Sequence, residues 1–169
     1  MALDILIVDD EEDIRELVSG ILSDEGYETR TAYDSESALR EVEARRPSLI
    51  ILDIWLQGSK KDGLEILRIV KSRHKDLPIV MISGHGNIET AVAAIKLGAY
   101  DFIEKPFQTD KLLLLVSRAT ETDKLRKENE ELKTRVGHTP DLTGASAVVL
   151  NVRNTIEKVA PTNSRVLIS

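Results

Sequence analysis

The segment Ser48–Asp53 (SLIILD) limits what this chain can fold into more than any other stretch does. Pro47 precedes it, four aliphatic residues fill it, and the lone carboxylate of Asp53 ends it. An apolar run this short, bounded by a breaker and an acid, reads as a strand buried on both faces. Three more runs stop as abruptly: LDILIVDD on Asp9 and Asp10, PIVMIS on Ser83, and YDFIEKP on Lys105. In an open parallel sheet, ligands bind at the carboxyl ends of the strands. An acid pair, a lone acid, a hydroxyl and a lysine are therefore expected on one rim.

Between these runs the period changes from that of strands to that of helices. Leu3–Val8 is strand-like, and Glu11–Asp24 then sets Ile14, Leu17, Val18, Ile21 and Leu22 at helical spacing, with Gly26 as stop signal. Tyr27–Ala32 is short and polar enough for an edge strand. Asp34 or Ser35 is placed to cap the next helix, whose inward positions are Ala38, Leu39 and Val42, and Pro47 ends it. Asp62-Gly63 precedes a helix with Leu64, Ile66, Leu67 and Val70 on its apolar side. Leu77–Ile82 is a further buried strand, Asn87 caps a helix running to Leu97, and Tyr100–Glu104 is the fifth strand. Strands alternating with helices give an α/β class: a five-stranded parallel sheet, doubly wound, with helices on both faces.

From Thr109 to about Val136 the pattern is one long helix, extending the domain into a linker. Leu112, Leu113 and Val116 face the sheet. Leu125, Asn129, Leu132 and Val136 follow at spacings of 4, 3 and 4, a two-heptad seam with Asn at an a position. Such an Asn selects a parallel two-stranded coiled coil, and a solvated helical linker is the alternative for so charged a segment. Gly137, Pro140 and Gly144 then break the helix. Val148 to Val159 return to helical spacing before Pro161, and an apolar strand begins at Val166.

Composition removes several function classes. The net charge is 23 − 29 = −6, which disfavours nucleic acid or an anionic membrane surface as the main partner. With no cysteine, disulfides and thiolate metal sites are excluded. No apolar stretch approaches the roughly 20 residues that span a bilayer. The start, MALDILIVDDEED, places acids directly after a short apolar run, unlike a basic signal-peptide start. A cytoplasmic location is expected.

Asp9, Asp10 and Asp53 bring three carboxylates together. Two unit charges about 5 Å apart repel by roughly 3 kcal/mol at an effective dielectric of 20, so the group needs a cation or must hold a proton. An all-oxygen site with few protein donors suits Mg²⁺, which completes its shell with water and phosphate. With Lys105 as second positive charge, the set suits transfer of a phosphoryl group to Asp53. The plainer reading takes Asp9–Asp13 as a negatively charged helix start and Ser83 and Lys105 as solvated strand ends.

Residues 1–120 resemble a response-regulator receiver domain, with its flavodoxin/CheY-like fold. The likeness rests on Val8–Asp10, Asp53, Asp62-Gly63, Ser83 and Lys105-Pro106-Phe107. It implies a phosphorylation-dependent switch and not an enzyme in its own right. Asp53 would accept phosphate from a sensor histidine kinase, and Asp9, Asp10, Asp53 and the Trp55 backbone carbonyl would hold Mg²⁺. Ser83 would bond the phosphoryl group and Lys105 would pair with it, next to a cis peptide before Pro106. Phe102 would rotate into space that Ser83 vacates as Gly84-His85-Gly86 shifts; a plain core aromatic is its alternative. His85 would modulate water access, and Trp55 is otherwise a pocket-rim residue.

One departure from the family is visible: WLQGSKK carries the chain nine residues from Asp53 to Asp62 without the usual Met-Pro type turn. The segment LTGASAVVLNVRNTIEKVAPTNSRVLIS resembles the opening of a σ54-activating AAA+ domain, before its glycine-rich loop. The expected layout is therefore receiver 1–120, helical linker 121–141 and the start of the AAA+ domain at 142–169. With LQGSKKDGLEIL, the likeness narrows to nitrogen-regulation regulators of the NtrC/NtrX class. It implies a homodimer through the last receiver helix and linker, and σ54 RNA polymerase and DNA as partners of other domains. Rival readings are a receiver-like interaction module regulated without phosphorylation, and a small phosphohydrolase. The second needs an acid two residues after the nucleophile, where Trp55 stands.

Overall fold

The computed structural model describes residues 2–85 and 87–137. The elements are β1 (Asp4–Val8), α1 (Glu12–Asp24), β2 (Glu28–Ala32), α2 (Ser35–Ala44) and β3 (Leu49–Asp53). They continue with α3 (Gly63–Arg73), β4 (Ile79–Ser83), α4 (Ile88–Lys96), β5 (Asp101–Glu104) and α5 (Thr109–Gly137). The features expected at Pro140, Gly144 and 142–169, and the Val136 side chain, lie outside the described residues. A first compact unit ends at Lys127, and the described part of the second is the end of α5.

The five strands are all parallel in the order β2-β1-β3-β4-β5. β1 and β3 are neighbours, yet β1 leads out to one side of the sheet and β3 to the other. Their following loops diverge and leave a crevice at the carboxyl ends of both strands. β2 forms one edge, as its polar pattern led us to expect.

Alternation along the strands divides the core in two. Leu6, Val8, Ile50, Leu52, Ile79 and Met81 pack beneath α2, α3 and α4, meeting Ala38, Val42, Ile66, Leu67 and Ala94. Ile5, Ile7, Leu49, Ile51, Val80 and Ile82 face α1 and α5, meeting Val18, Leu22, Leu112 and Val116. β1, β3 and β4 are buried at every position, which is why they read as unbroken apolar runs.

Leu17 departs from the expected stripe and is 53% exposed. At 100° per residue it lies roughly 120° around α1 from the midpoint of Val18 and Leu22. Those two residues, flanked by Ile14 and Ile21, fill the contact with the sheet. The caps match the sequence closely. Asp34 and Asp62 each form a reciprocal capping box, with Ser37 and Glu65, and Asn87 accepts from the Glu89 N–H.

Gly63 is fixed by proximity. A Cβ there would lie 2.1 Å from the Asp53 carbonyl oxygen and 2.7 Å from Ile54 Cα, while the Gly63 N–H donates to Ile54 O at 2.8 Å. The start of α3 thus lies directly against the chain leaving β3. We expect Gly63→Ala to lower stability in urea denaturation by about 3 kcal/mol, at the upper end of overpacking costs. Gly20→Ala, with nothing within 4 Å of the added Cβ, should instead gain up to about 1 kcal/mol from helix propensity. Equal effects at the two positions would contradict the close-approach reading.

Candidate functional site

The rim at the carboxyl ends of β1, β3 and β5 is assembled largely by main-chain bonds. The Asp9 N–H extends the sheet ladder to Ala32 O (3.1 Å), and the Lys105 N–H donates to Ser83 O (2.8 Å). Asp53 is the last residue of β3. Asp9 and Asp53 are only 2% and 4% exposed, so both carboxylates lie below the surface.

Lys105 joins them. Its Nζ donates to Asp9 Oδ2 at 2.8 Å and to Asp53 Oδ2 at 3.0 Å, and reaches Glu11 Oε1 at 3.3 Å. The second oxygen of each buried acid accepts from the main chain: Asp9 Oδ1 from the Glu11 N–H (2.9 Å), Asp53 Oδ1 from the Trp55 N–H (3.2 Å). Asp9, Asp10 and Asp53 each offer a carboxylate oxygen, and these oxygens lie within 4.8 Å of one another.

The electrostatics are unbalanced. Burial pushes the Asp53 carboxyl above its ordinary value, the Lys105 hydrogen bond opposes this, and the negative charge of Asp9 adds to the rise; the net direction is upward. For Lys105 burial works downward, but hydrogen bonds to Asp9 and Asp53 outweigh it and hold the ammonium well above its usual range. The ammonium gains from two acids, while for Asp53 burial and the neighbouring charge of Asp9 outweigh the ammonium it shares. The remaining deficit of positive charge, with oxygen-only donors, fits a hard divalent cation such as Mg²⁺.

Ser83 is fully buried, and its Oγ bonds the main chain of His85, donating to the carbonyl at 3.3 Å and accepting from the N–H at 3.2 Å. The hydroxyl is thus engaged by the loop after β4 and not by the acid cluster. His85 is exposed, and Gly86 lies outside the described residues. Phe102 is half-buried against the core on the α2–α4 face. Trp55 is 54% exposed. The Lys105–Pro106 peptide bond is cis, as the resemblance implied. On α5, Leu125 and Leu132 are each 58% exposed and Asn129 is exposed as well.

The lengthened loop after Asp53 is held in place. Ile54 and Leu56 are buried, Gly58 turns with φ +73°, and Ser59 Oγ accepts from the Ser35 N–H at 2.9 Å. Lys60 pairs with Glu36, and Asp62 caps α3. Two residues beside the cluster escaped the sequence reading: Glu11, the third partner of Lys105, and Arg15, whose Nη1 donates to Asp9 O and Asp10 O. In the sequence Glu11 reads as part of the acidic helix start, and Arg15 stands inside a helical pattern that carries no chemical signal of its own.

Residues 5–117 match the model of the response regulator receiver domain family. The chain is 61% identical over 168 residues to the nitrogen assimilation regulatory protein NtrX of Azorhizobium caulinodans, covering 99% of this chain and 37% of that protein. A crystal structure of NtrX from Brucella abortus superposes with a TM-score of 0.76 at 60% identity, covering 98% of this chain and 36% of that one. The structure of the receiver domain of the same protein matches at 66% identity with a TM-score of 0.69, over 70% of this chain and 99% of that one. This chain therefore spans little more than a third of the full-length relatives it matches.

Asp53→Asn should stabilise the metal-free protein. With its carboxyl raised in the fold, wild-type stability is greatest below the unfolded-state value and declines as pH rises through the folded one. The variant lacks that decline. Urea denaturation should give nearly equal stabilities near pH 4 and an advantage for Asp53→Asn of about 1 kcal/mol at pH 7.5, the scale of one poorly compensated buried polar group. A variant less stable than wild type at pH 7.5 would contradict the charge deficit.

Proposed function

This chain belongs to the response regulator receiver domain family, and from that premise we propose that it is a phosphorylation-dependent switch whose acceptor is Asp53. The observation that carries the reading is Lys105 clamped between Asp9 and Asp53 at 2.8 and 3.0 Å beside a third acid. One oxygen of Asp53 attacks the phosphorus of a phosphohistidine on a sensor kinase. The new O–P bond forms as the N–P bond breaks, and the histidine nitrogen leaves with the electron pair. Lys105 offsets charge on the transferring oxygens, and its ammonium is already within reach of the acceptor. Asp9, Asp10, Asp53 and the backbone carbonyl of Trp55 would hold Mg²⁺, which when bound offsets further phosphoryl charge.

Ser83 supplies the response. Its Oγ, engaged by the His85 main chain, would exchange those bonds for the phosphoryl group and draw the loop after β4 with it. Phe102, half-buried beside β4, turns into the space released. The equilibrium between two loop positions is then biased by a local charge. His85, exposed on the same loop, tunes water access to the acyl phosphate.

We place the receiver at 1–120, a helical linker at 121–141 and the opening of a σ54-activating AAA+ domain at 142–169. Leu125, Asn129, Leu132 and Val136 would form a homodimer seam. In this layout σ54 RNA polymerase and DNA meet other domains of a nitrogen-responsive transcriptional regulator. Among the described residues no helix is long and apolar enough to cross a membrane, in keeping with a cytoplasmic regulator.

Intact-protein mass spectrometry after incubation with acetyl phosphate or phosphoramidate tests the acceptor. We expect one phosphoryl adduct that requires Mg²⁺ and is lost in Asp53→Asn. An adduct that persists in the variant would overturn the assignment. So would failure to form one even with an active histidine kinase.

A further inference from the structure

The run Asp9–Asp13 (DDEED) sets five acids in succession where β1 hands over to α1. Mutual repulsion in such a run favours its spreading apart. Asp9 resists through several bonds, its N–H to Ala32 O and its two carboxylate oxygens to Glu11 and Lys105. Asp10 has no such support. Among the described residues, the hydrogen bond that holds it comes from Arg15, the first basic residue of the chain.

Arg15 lies in the first turns of α1, and its half-buried side chain turns back toward the loop. One nitrogen, Nη1, donates to the main-chain carbonyls of both Asp9 (2.8 Å) and Asp10 (3.0 Å). Two consecutive peptide planes are thereby tied to a helix that is itself anchored in the core by Val18 and Leu22. Orienting those planes orients the Asp10 Cα–Cβ bond that lies between them, and with it the direction of the Asp10 carboxylate.

We infer that Arg15 is a positioning residue for the cation site: it holds the acid pair of the β1–α1 loop in the arrangement that a divalent ion requires. The inference rests on the proposed reading that Asp9 and Asp10 bind Mg²⁺. It makes a prediction opposite in sign to simple electrostatics. A guanidinium beside the ligands repels a divalent cation, so loss of its charge alone would tighten binding. Loss of positioning weakens it, on the scale of about tenfold or more typical of outer-shell partners.

The test is a Mg²⁺ titration of the whole chain followed by tryptophan fluorescence. Trp55 is the one tryptophan in the sequence, and its N–H bonds Asp53, so the signal reports from the site. Arg15→Met should raise the Mg²⁺ midpoint by about tenfold while reaching the same end-point fluorescence. Arg15→Lys, which keeps a charge and N–H donors, should recover part of that loss. If Arg15→Met does not fold, Arg15→Gln takes its place with the same expected direction. A midpoint that is unchanged or lowered overturns the inference, and so does a variant that loses stability to urea yet binds Mg²⁺ as wild type does. A wild-type chain with no saturable response overturns the cation reading itself, and the inference with it.

Discussion

The ammonium of Lys105 shared between Asp9 and Asp53 is the interaction on which the rest of this molecule depends. It joins residues distant in sequence at the ends of β1, β3 and β5. Neither acid is accessible enough for water to compensate it, and unpaired buried charge is expensive. Each remaining carboxylate oxygen of the pair is met by a main-chain N–H. The site is therefore well ordered but short of positive charge. That condition suits a place where a cation and a phosphoryl group are expected to arrive.

The fold serves this arrangement by topology more than by any special local structure. The strand order puts β1 beside β3 while their connections leave on opposite faces, so the acid pair and the lone acid meet at an open crevice. Gly63 lets α3 begin in contact with the chain leaving β3, and the loop between is tied to α2 through Ser59 and Lys60. Asp53 is thus braced on both sides. The hydroxyl of Ser83 bonds the main chain of His85 in the loop that follows β4, not the acids.

Much of this was legible from residues alone. β1, β3 and β4 showed themselves as apolar runs because both faces of the sheet are covered, and Asp34, Asp62 and Asn87 marked their helices because capping is local chemistry. The convergence of Asp9, Asp10, Asp53 and Lys105 could be anticipated because parallel strands must end on the same rim. What escaped depends on side-chain reach and helix rotation. Leu17 is left exposed because five apolar positions on α1 outnumber those its contact with the sheet can cover. Arg15 bonds two main-chain carbonyls and Glu11 meets Lys105 with a long side chain, and neither leaves a mark in spacing. The anchoring of the nine-residue loop by Ser59 is equally invisible, since a serine in a polar loop carries no signal of its partner.

If one ammonium under-compensates two buried acids, the residues that share it must be strongly non-additive. A double-mutant cycle between Lys105→Met and Asp53→Asn, read by urea denaturation at neutral pH without Mg²⁺, measures this directly. Lys105→Met alone should cost about 3–5 kcal/mol, because it leaves both carboxylates buried and unpaired. Asp53→Asn in that background should recover roughly 2 kcal/mol or more, exceeding its effect in the wild type by an interaction energy within the usual range for contacting residues. Additive effects within about 0.5 kcal/mol would contradict the account, because they would mean that Lys105 and Asp53 do not share the charge on which the site is built.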